Sequence, residues 1–258
     1  MCATCGCHGD GAVVRGAAHD HDHGHDHHLP PGDSRTVLLQ QKILAKNDGI
    51  AERNRSWLAQ RGVTMINLMS SPGSGKTTLL EHTAATLPVQ VIEGDQETML
   101  DASRIKAAGG SVVQINTGAG CHLDAQMVSA GLAELDPPAG SLVVIENVGN
   151  LVCPALFDLG EVKRVVLASV TEGGDKPLKY PHMFRQADLV LVSKIDLLPY
   201  VDFDLARYTA DVALIAPAAA LMTVSAKSGD GLAAWCDWLV SLTGPALGEH
   251  SLGDHSLA

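Results

Sequence analysis

One short stretch of this sequence, residues 70–78, has the residue types and spacing needed to hold a chain of phosphates. It reads Ser-Ser-Pro-Gly-Ser-Gly-Lys-Thr-Thr. Gly73 and Gly75 let the backbone approach an anion closely because neither carries a Cβ, and the N–H groups of such a turn point inward. Lys76 could reach the β- and γ-phosphates of a nucleotide, and the Thr77 hydroxyl could ligate Mg²⁺. The stretch therefore predicts a phosphate loop.

A predicted strand and a predicted helix enclose this loop. The apolar run 63–69 precedes it, and the stretch 79–85 suits a helix whose positive N-terminal end would face a phosphate. Ser70 departs from the pattern, because a phosphate loop normally begins with glycine. A Gly-Lys-Thr turn that caps a helix by chance is the alternative, and the flanking elements argue against it. The residues predicted to contact a nucleotide here are Gly73, Ser74, Gly75, Lys76, Thr77 and Thr78.

Two acidic residues at the ends of predicted strands are candidates for organising Mg²⁺. Asp95 follows the predicted strand 89–93 and falls where an acid could hold Mg²⁺ or its water, although an Asp in this position could instead cap a helix. Glu146 ends the predicted strand 142–146 and is a second candidate for Mg²⁺ or for the attacking water. The predicted catalytic set is Lys76, Thr77, Asp95 and Glu146, of which the last three would organise Mg²⁺.

Two later segments predict specificity for guanine. Ser-Lys-Ile-Asp at 193–196 follows an apolar run and is typical of a guanine-specificity motif, with Ser193 where asparagine usually stands. The Asp196 carboxylate could accept hydrogen bonds from guanine N1–H and the 2-amino group, and adenine offers neither donor. Ser-Ala-Lys at 225–227 could supply a backbone N–H to guanine O6. The residues predicted to line the base site are Lys194, Asp196, Ser225, Ala226 and Lys227.

Three soft metal ligands lie within the same predicted domain. Cys121 and His122 are expected to open a helix, and Cys153 follows Glu146 by a short loop. Two thiols and an imidazole can bind Zn²⁺ or Ni²⁺, although a lone cysteine is more often a small buried apolar residue. A shift of the loop after Glu146 when a nucleotide binds would move Cys153 relative to Cys121.

The first 33 residues contain few apolar side chains and predict a disordered tail that binds metal. Three cysteines within six residues could close around a soft or borderline metal ion such as Zn²⁺, Ni²⁺ or Cu⁺, and a labile redox-active tail is the alternative. The histidines that follow could bind several divalent ions for buffering or storage, or have only incidental affinity. The ligands in this tail are Cys2, Cys5, Cys7, His19, His21, His23, His25, His27 and His28.

Composition argues against several other classes of protein. The net charge of −11 disfavours a nucleic-acid-binding surface. No apolar run approaches the roughly 18 residues that suggest a membrane span, and the N-terminus lacks the apolar core of a signal peptide. Cysteines spaced as metal ligands beside a nucleotide motif favour the reducing cytoplasm over a disulfide framework. We therefore expect a cytoplasmic protein without nucleic-acid or membrane partners.

From residue 63 onward, predicted strands and helices alternate. Their near-continuous Val, Ile and Leu runs predict an α/β fold, a doubly wound and mostly parallel sheet flanked by helices, as in a phosphate-loop NTPase G domain. The predicted strands are 65–69, 89–93, 112–115, 142–146, 165–170, 189–193 and 221–224. The predicted divisions are a tail at 1–33, a helical segment at 34–62, a GTPase domain at 63–245 and a second tail at 246–258. Asn-Asp-Gly at 47–49 predicts a possible break in the helical segment.

Together these motifs closely resemble the HypB family, GTPases that assist nickel insertion into [NiFe]-hydrogenase. The resemblance covers nearly the whole chain from Leu38 onward, together with the terminal Cys-Ala-Thr-Cys-Gly-Cys. The urease accessory GTPase UreG is similar, but the terminal cysteines and the context of Cys153 favour HypB. The stretches that carry the resemblance are 71–78, 93–95, 120–125, 146–154 and 175–181.

The resemblance implies Mg²⁺-dependent hydrolysis of GTP to GDP, a homodimer linked to nucleotide or metal, and Ni²⁺ or Zn²⁺ as the metal bound. It also implies nickel transfer with a HypA-type chaperone to the hydrogenase large subunit. The metal site at the dimer interface would come from Cys121, His122 and Cys153. Three alternatives stay open: a phosphate-loop kinase, a nickel storage protein whose tail is its function, and a urease-type accessory GTPase.

Overall fold

Seven apolar runs form the strands of one parallel sheet in the computed structural model, which describes residues 34–95, 99–118 and 120–243. The strands are β1 Thr64–Ser70, β2 Val89–Asp95, β3 Ser111–Asn116, β4 Leu142–Glu146, β5 Lys163–Ser169, β6 Leu189–Ser193 and β7 Ala220–Thr223. Their spatial order is β3-β2-β4-β1-β5-β6-β7, and each pair of neighbours is parallel. The predicted fold class is confirmed. The strand boundaries differ from the sequence prediction by no more than a few residues.

Eight α-helices and three short 3₁₀ segments accompany the strands within the described residues. The helices are α1 Ser34–Gln60, α2 Lys76–Thr86, α3 Leu100–Ala107, α4 Ala125–Leu135, α5 Lys176–Lys179, α6 Pro181–Arg185, α7 Leu205–Ile215 and α8 Leu232–Leu242. The 3₁₀ segments are Cys153–Leu156, Val170–Glu172 and Ile195–Tyr200. None of the helices described is long and apolar enough to cross a membrane.

The helices form a layer on each face of the sheet. One face packs against α2 and α8, where Trp235 Nε1 donates a 2.9 Å hydrogen bond to Thr83 Oγ1 in the buried interface. On the other face, α1 and α4 cover the half of the sheet around β1, β2 and β4, while α6 and α7 cover the half around β5 and β6. Because side chains alternate along a strand, consecutive residues of β4 serve different layers.

Helix α1 is continuous where the sequence suggested a break at residues 47–49. The Asn47 side chain is buried and does not compete for the backbone of its own helix, because both of its polar groups bond elsewhere. Its Nδ2 donates to the carbonyl of Asp158 at 2.7 Å, and its Oδ1 accepts from the Ala125 N–H at 2.9 Å. These distant partners explain why local sequence favoured a break that the fold does not contain.

The carboxyl ends of the parallel strands meet along one edge of the sheet, as they must when all strands run the same way. Ser70, Asp95 and Glu146 end three adjacent strands there, and Ser193 ends a fourth. Both predicted tails, at 1–33 and 246–258, lie outside the described residues. The fold therefore gathers the predicted nucleotide residues at a single edge.

Candidate nucleotide and metal sites

The predicted phosphate loop joins β1 to α2, as its sequence required. Gly73 and Gly75 have φ angles of 76° and 101°, conformations that favour glycine. Lys76 Nζ donates a 3.0 Å hydrogen bond to the hydroxyl of Ser70. The unusual first residue of the loop thus provides a polar partner for the lysine that is predicted to bind phosphate. Burial lowers the pKa of Lys76, and the nearby Glu146 carboxylate opposes that shift.

Two buried carboxylates stand beside the loop on neighbouring strands. Glu93 of β2 and Glu146 of β4 are register partners, and they are 2% and 4% exposed. Thr77 Oγ1 donates to Glu146 Oε1 at 2.8 Å, whereas Oε2 of each carboxylate has no hydrogen-bond partner within the described part of the chain. Burial raises the pKa of Glu93 to about 8 and that of Glu146 to about 7, and in Glu93 the adjacent Glu146 adds to the effect.

These orphaned carboxylate oxygens fit a divalent cation. A buried carboxylate without a partner is unfavourable, and hard oxygen ligands are those that Mg²⁺ prefers. Both glutamates line a cavity of about 500 Å³ together with Asp95, Lys76 and Thr77. The predicted catalytic set therefore shares one cavity, at the N-terminal end of α2.

Sequence reasoning gave no role to three charged residues near this cavity. Glu93 lies in the Glu-Gly-Asp stretch, but only the register with Glu146 shows that it faces the phosphate loop. Arg104 also lines the cavity, and its guanidinium bonds Glu81 at 2.7 Å and Thr78 Oγ1 at 3.3 Å. Glu172 accepts a 2.6 Å hydrogen bond from Ser74 Oγ. Their strand register and loop packing are tertiary properties that no local motif signals.

A second cavity of about 330 Å³ adjoins the loop on the side of β6 and β7. Its lining includes Asp196, Lys194, Ala226 and Lys227, together with Ser74, Gly75 and Thr78 of the phosphate loop. The predicted base-site residue Ser225 is fully buried, and its Oγ donates to Asp196 Oδ1 at 2.6 Å, which orients the carboxylate. The residues predicted to bind phosphate and base therefore lie side by side.

The predicted specificity segment also holds the phosphate loop directly. Ser193, at the position expected for asparagine, donates its hydroxyl to the carbonyl of Ser74 at 2.8 Å. Lys194 has a φ of 59°, in the left-handed region, and its Nζ donates to the carbonyl of Gly73 at 2.6 Å. The Ser193 hydroxyl therefore supplies one of the contacts that join the predicted base site to the phosphate loop.

Cys121, His122 and Cys153 lie close together on the face of the sheet that α1 and α4 cover. One ligand atom from each lies within 4.8 Å of the others, and Cys121 Sγ is 3.6 Å from His122 Nδ1. The His122 ring stacks on Phe157 with 4.0 Å between centroids, and burial lowers its pKa, which favours the neutral ring that ligates metals. Two thiols and a neutral imidazole fit Zn²⁺ or Ni²⁺.

The prediction that Cys121 and His122 open a helix is wrong. Helix α4 begins at Ala125, and its N-cap is Asp124, whose side chain accepts from the Met127 N–H at 2.8 Å. An aspartate is among the strongest N-cap residues, so the sequence carried this signal. The cysteine and histidine instead lie in the turn before the helix.

Cys153 begins a 3₁₀ segment, and the Asn150 side chain accepts hydrogen bonds from the backbone at its start. Asn150 Oδ1 accepts from the N–H groups of Val152 at 2.7 Å and Cys153 at 3.3 Å.

The predicted ligands in the tail, from Cys2 to His28, lie outside the described residues. The three internal ligands are therefore the metal cluster that the described part of the chain brings together.

Comparison with known proteins identifies the family. A family profile described as "CobW/HypB/UreG, nucleotide-binding domain" matches residues 64–223. The chain is 52% identical to the hydrogenase maturation factor HypB of Azotobacter vinelandii over 218 residues, covering 83% of this chain and 72% of that protein. It is 44% identical to a Helicobacter hepaticus protein named hydrogenase/urease maturation factor HypB, over 81% of this chain and 89% of that protein.

Solved structures give the same result. HypB from Archaeoglobus fulgidus superposes with a TM-score of 0.72 at 40% identity, covering 77% of this chain and 99% of that one. HypB from Helicobacter pylori, solved in complex with nickel, superposes with a TM-score of 0.72 at 38% identity, covering 82% of this chain and 100% of that one. The chain belongs to the HypB hydrogenase maturation factors of the CobW/HypB/UreG family.

Proposed function

We propose that this protein is a Mg²⁺-dependent GTPase that hydrolyses GTP to GDP and phosphate and uses the nucleotide state to control nickel delivery to [NiFe]-hydrogenase. The observation that carries the proposal is the position of two sites on either side of β4. Glu146 bonds Thr77 at the phosphate loop, and Cys153 of the soft-ligand cluster follows a short loop later. The family membership and the nickel complex of the Helicobacter pylori relative support the same function.

In this proposal the protein contributes mainly positioning and charge. Lys76 and the N–H groups of the phosphate loop hold the β- and γ-phosphates. Thr77, Asp95 and Glu146 would hold Mg²⁺ and its water, and the cation would neutralise negative charge on the phosphates. The described carboxylates lie within the cavity that this role requires.

Asp196 would select guanine. Its Oδ1 accepts from Ser225 Oγ and the residue lines the second cavity, so its second oxygen and the remaining lone pair of the first would be the acceptors offered to the base. Adenine would leave this carboxylate without donors, which is costly in a partly buried cavity. Lys194 and Ala226 line the same cavity and would pack against the base.

The internal cluster would bind nickel or zinc, and the tail would bind further ions through Cys2, Cys5, Cys7 and the six histidines. A HypA-type chaperone and the hydrogenase large subunit are the proposed partners. We also propose a homodimer linked to nucleotide or metal, with Cys121, His122 and Cys153 at its interface. The exposed apolar side chains Val152 and Leu156, which flank the cluster at 53% and 48% exposure, support a protein contact there.

A urease-type role is the second candidate, because the Helicobacter hepaticus relative carries urease in its name. Storage of nickel by the tail alone is the third. Deleting residues 19–28 separates storage from the GTPase, since it should lower the number of nickel ions bound without changing GTP hydrolysis. Unaltered stoichiometry after this deletion would remove the buffering role of the histidines.

The decisive experiment is nickel stoichiometry and affinity measured with GDP and with a non-hydrolysable GTP analogue, beside a phosphate-release assay. We expect Mg²⁺-dependent hydrolysis of GTP but not of ATP, and nickel binding that differs between the two nucleotide states. Phosphoryl transfer to a small-molecule acceptor would instead indicate a kinase. An absence of hydrolysis, with nickel bound only by the tail, would favour storage.

A further inference from the structure

Two consecutive residues at the end of β4 point to opposite faces of the sheet. The Glu146 side chain turns toward α2, where it accepts a hydrogen bond from Thr77. Asn147 follows it and is 1% exposed; although the residue also lines the phosphate cavity, its side-chain amide bonds Asn67 and Leu123 on the face covered by α1 and α4. One peptide bond therefore links a carboxylate at the phosphate loop to an amide on the side of the metal cluster.

Asn147 is held firmly in this position. Its backbone N–H donates to the carbonyl of Leu68 at 3.1 Å, which continues the pairing of β4 with β1. Its Nδ2 donates to Asn67 Oδ1 at 3.2 Å, and its Oδ1 accepts from its neighbour Val148 N–H at 2.9 Å. A displacement of Glu146 would therefore move the Asn147 amide with it rather than be absorbed by side-chain rotation.

The same Asn147 oxygen reaches the metal-ligand segment. It accepts a 3.3 Å hydrogen bond from the backbone N–H of Leu123, the residue directly after His122. Leu123 is fully buried, so its N–H has no water to replace this bond. The Asn147 side chain thus holds the Cys121–His122 turn at a fixed distance from the end of β4.

A second branch reaches the segment after Cys153. Asn67 Nδ2 donates to Glu161 Oε1 at 3.4 Å, and Glu161 Oε2 accepts from the Leu159 N–H at 2.7 Å. Leu159 lies just beyond Phe157, on which the His122 ring stacks. This branch anchors the ring platform to Asn67 in β1, whereas the Leu123 bond acts on the ligand turn itself.

We propose that Asn147 is a positioning residue that couples the nucleotide site to the Cys121–His122–Cys153 cluster through its bond to Leu123. The inference rests on the proposed function, because it specifies how nucleotide state reaches the metal. The sequence suggested a different route, along the loop from Glu146 to Cys153. That route passes several rotatable residues, while the Asn147 route needs one peptide and one hydrogen bond.

The test measures coupling rather than activity. Affinities of the full-length protein for GDP and for a GTP analogue are measured with and without Ni²⁺, and the ratio of the two nickel effects is the coupling factor. Linkage makes this factor equal to the change in nickel affinity between nucleotide states. A Cys121→Ser/Cys153→Ser variant gives the background from the tail, which is subtracted.

We expect a coupling factor of roughly 5- to 150-fold in the parent protein, falling to about 1 in Asn147→Ala; because the factor is a ratio, an equal loss of affinity for both nucleotides does not change it. Asn67→Ala is the matched control, because Asn67 is equally buried and bonds Asn147, whereas the Leu123 N–H donates to Asn147. It should retain most of the coupling. Equal coupling in Asn147→Ala and in the parent overturns the inference, as does an equal loss in both variants.

A measurement on the unaltered chain guards against a misfolded variant. The exchange rate of the Leu123 amide hydrogen should differ between the GDP and GTP-analogue states, since its acceptor is the group proposed to move. Identical protection in both states overturns the inference, and so does a parent protein without coupling. Hydrolysis and internal nickel binding in that same parent would leave the proposed function standing, whereas their absence would remove both.

Discussion

The Thr77 hydroxyl donates a 2.8 Å hydrogen bond to Oε1 of Glu146, so the first turn of α2 is joined to the end of β4. The second oxygen of Glu146 has no hydrogen-bond partner among the described residues, and neither does Oε2 of Glu93 beside it. Thr77 and Glu146, with Glu93 beside them, would hold a divalent cation here, and the cation would supply the partner that these oxygens lack. The side chains proposed to hold Mg²⁺ already lie side by side in the ligand-free structure.

Stability without ligand should depend on pH through Glu93. Its pKa is raised from the ordinary 4.5 to about 8 in the folded protein, so the native state binds more protons than the unfolded state between these values. The free energy of unfolding should therefore fall as pH rises through this window. Glu93→Gln should be more stable than the parent at pH 8.5, by roughly 1–3 kcal/mol, and should show a weaker pH slope.

Urea unfolding of the ligand-free protein at pH 5.5 and 8.5 would check this, with Glu134→Gln as a control because Glu134 is exposed on α4. Glu93→Gln should also weaken the binding of Mg²⁺–GTP if Glu93 faces the cation. A parent protein whose stability rises between these two pH values would contradict the argument.

Gly149→Ala should disturb the phosphate loop from outside it. A Cβ at this position would lie 2.9 Å from the backbone N and Cα of Pro72, closer than real Cβ contacts allow. Overpacking of this kind typically costs ~1–3 kcal/mol, and here the strain should appear as weaker GTP binding. Gly174→Ala is the matched control because an added Cβ there meets no atom within 4 Å. Calorimetric measurement of GTP affinity in both variants would check this. Equal GTP affinities in the two variants would contradict the prediction, because the loop would then accommodate the added Cβ without a loss of binding.

Asp196→Asn should lose guanine affinity by ~1–3 kcal/mol, because one of the two acceptors facing the base becomes a donor. The same change should improve binding of xanthosine triphosphate, whose 2-oxo group can accept from the new amide. Competition binding with both nucleotides would measure the exchange of preference. Unchanged affinity for GTP would mean that Asp196 does not contact the base.

Lys76→Ala should abolish measurable GTP hydrolysis and leave nickel binding by the tail intact, since the two sites share no ligands. The control is Lys106→Ala, which removes an exposed lysine of α3 that does not line the phosphate cavity. Phosphate release and nickel titration on both proteins would test the separation. Loss of tail nickel binding in a folded Lys76→Ala protein would contradict it.

The sequence was most informative where chemistry is local. The phosphate loop needs glycine, lysine and threonine in one turn, and the strands at 142–146 and 189–193 have the predicted boundaries because each is a short apolar run. The role proposed for Glu93 was not predicted, because only the pairing of β2 with β4 places this residue beside Glu146 in the phosphate cavity. The break expected at residues 47–49 was wrong for the same reason, since Asn47 finds its partners at Ala125 and Asp158.

The Asn147 network shows this limit most clearly. Asn67, Asn147 and Glu161 lie on three separate segments of the chain, and only Asn147 falls within a stretch that carries the family resemblance. A polar residue in an apolar strand, such as Asn67 in β1, is a signal that a buried partner exists. It does not reveal which partner, because that depends on the order of the strands.

The position of β1 in the centre of the sheet has a consequence for how the protein is made. β1 pairs with β4 and β5, so the strand that carries the phosphate loop has no neighbour in the sheet until Leu142–Glu146 has been synthesised, and it lacks its second neighbour until Lys163–Ser169 follows. The roughly one hundred residues from the end of β1 to the end of β5 take on the order of 5–20 s to translate. During that interval the apolar residues of β1 are not covered by both neighbouring strands and can associate with other chains. A nucleotide can stabilise the fold only once both neighbours of β1 are in place.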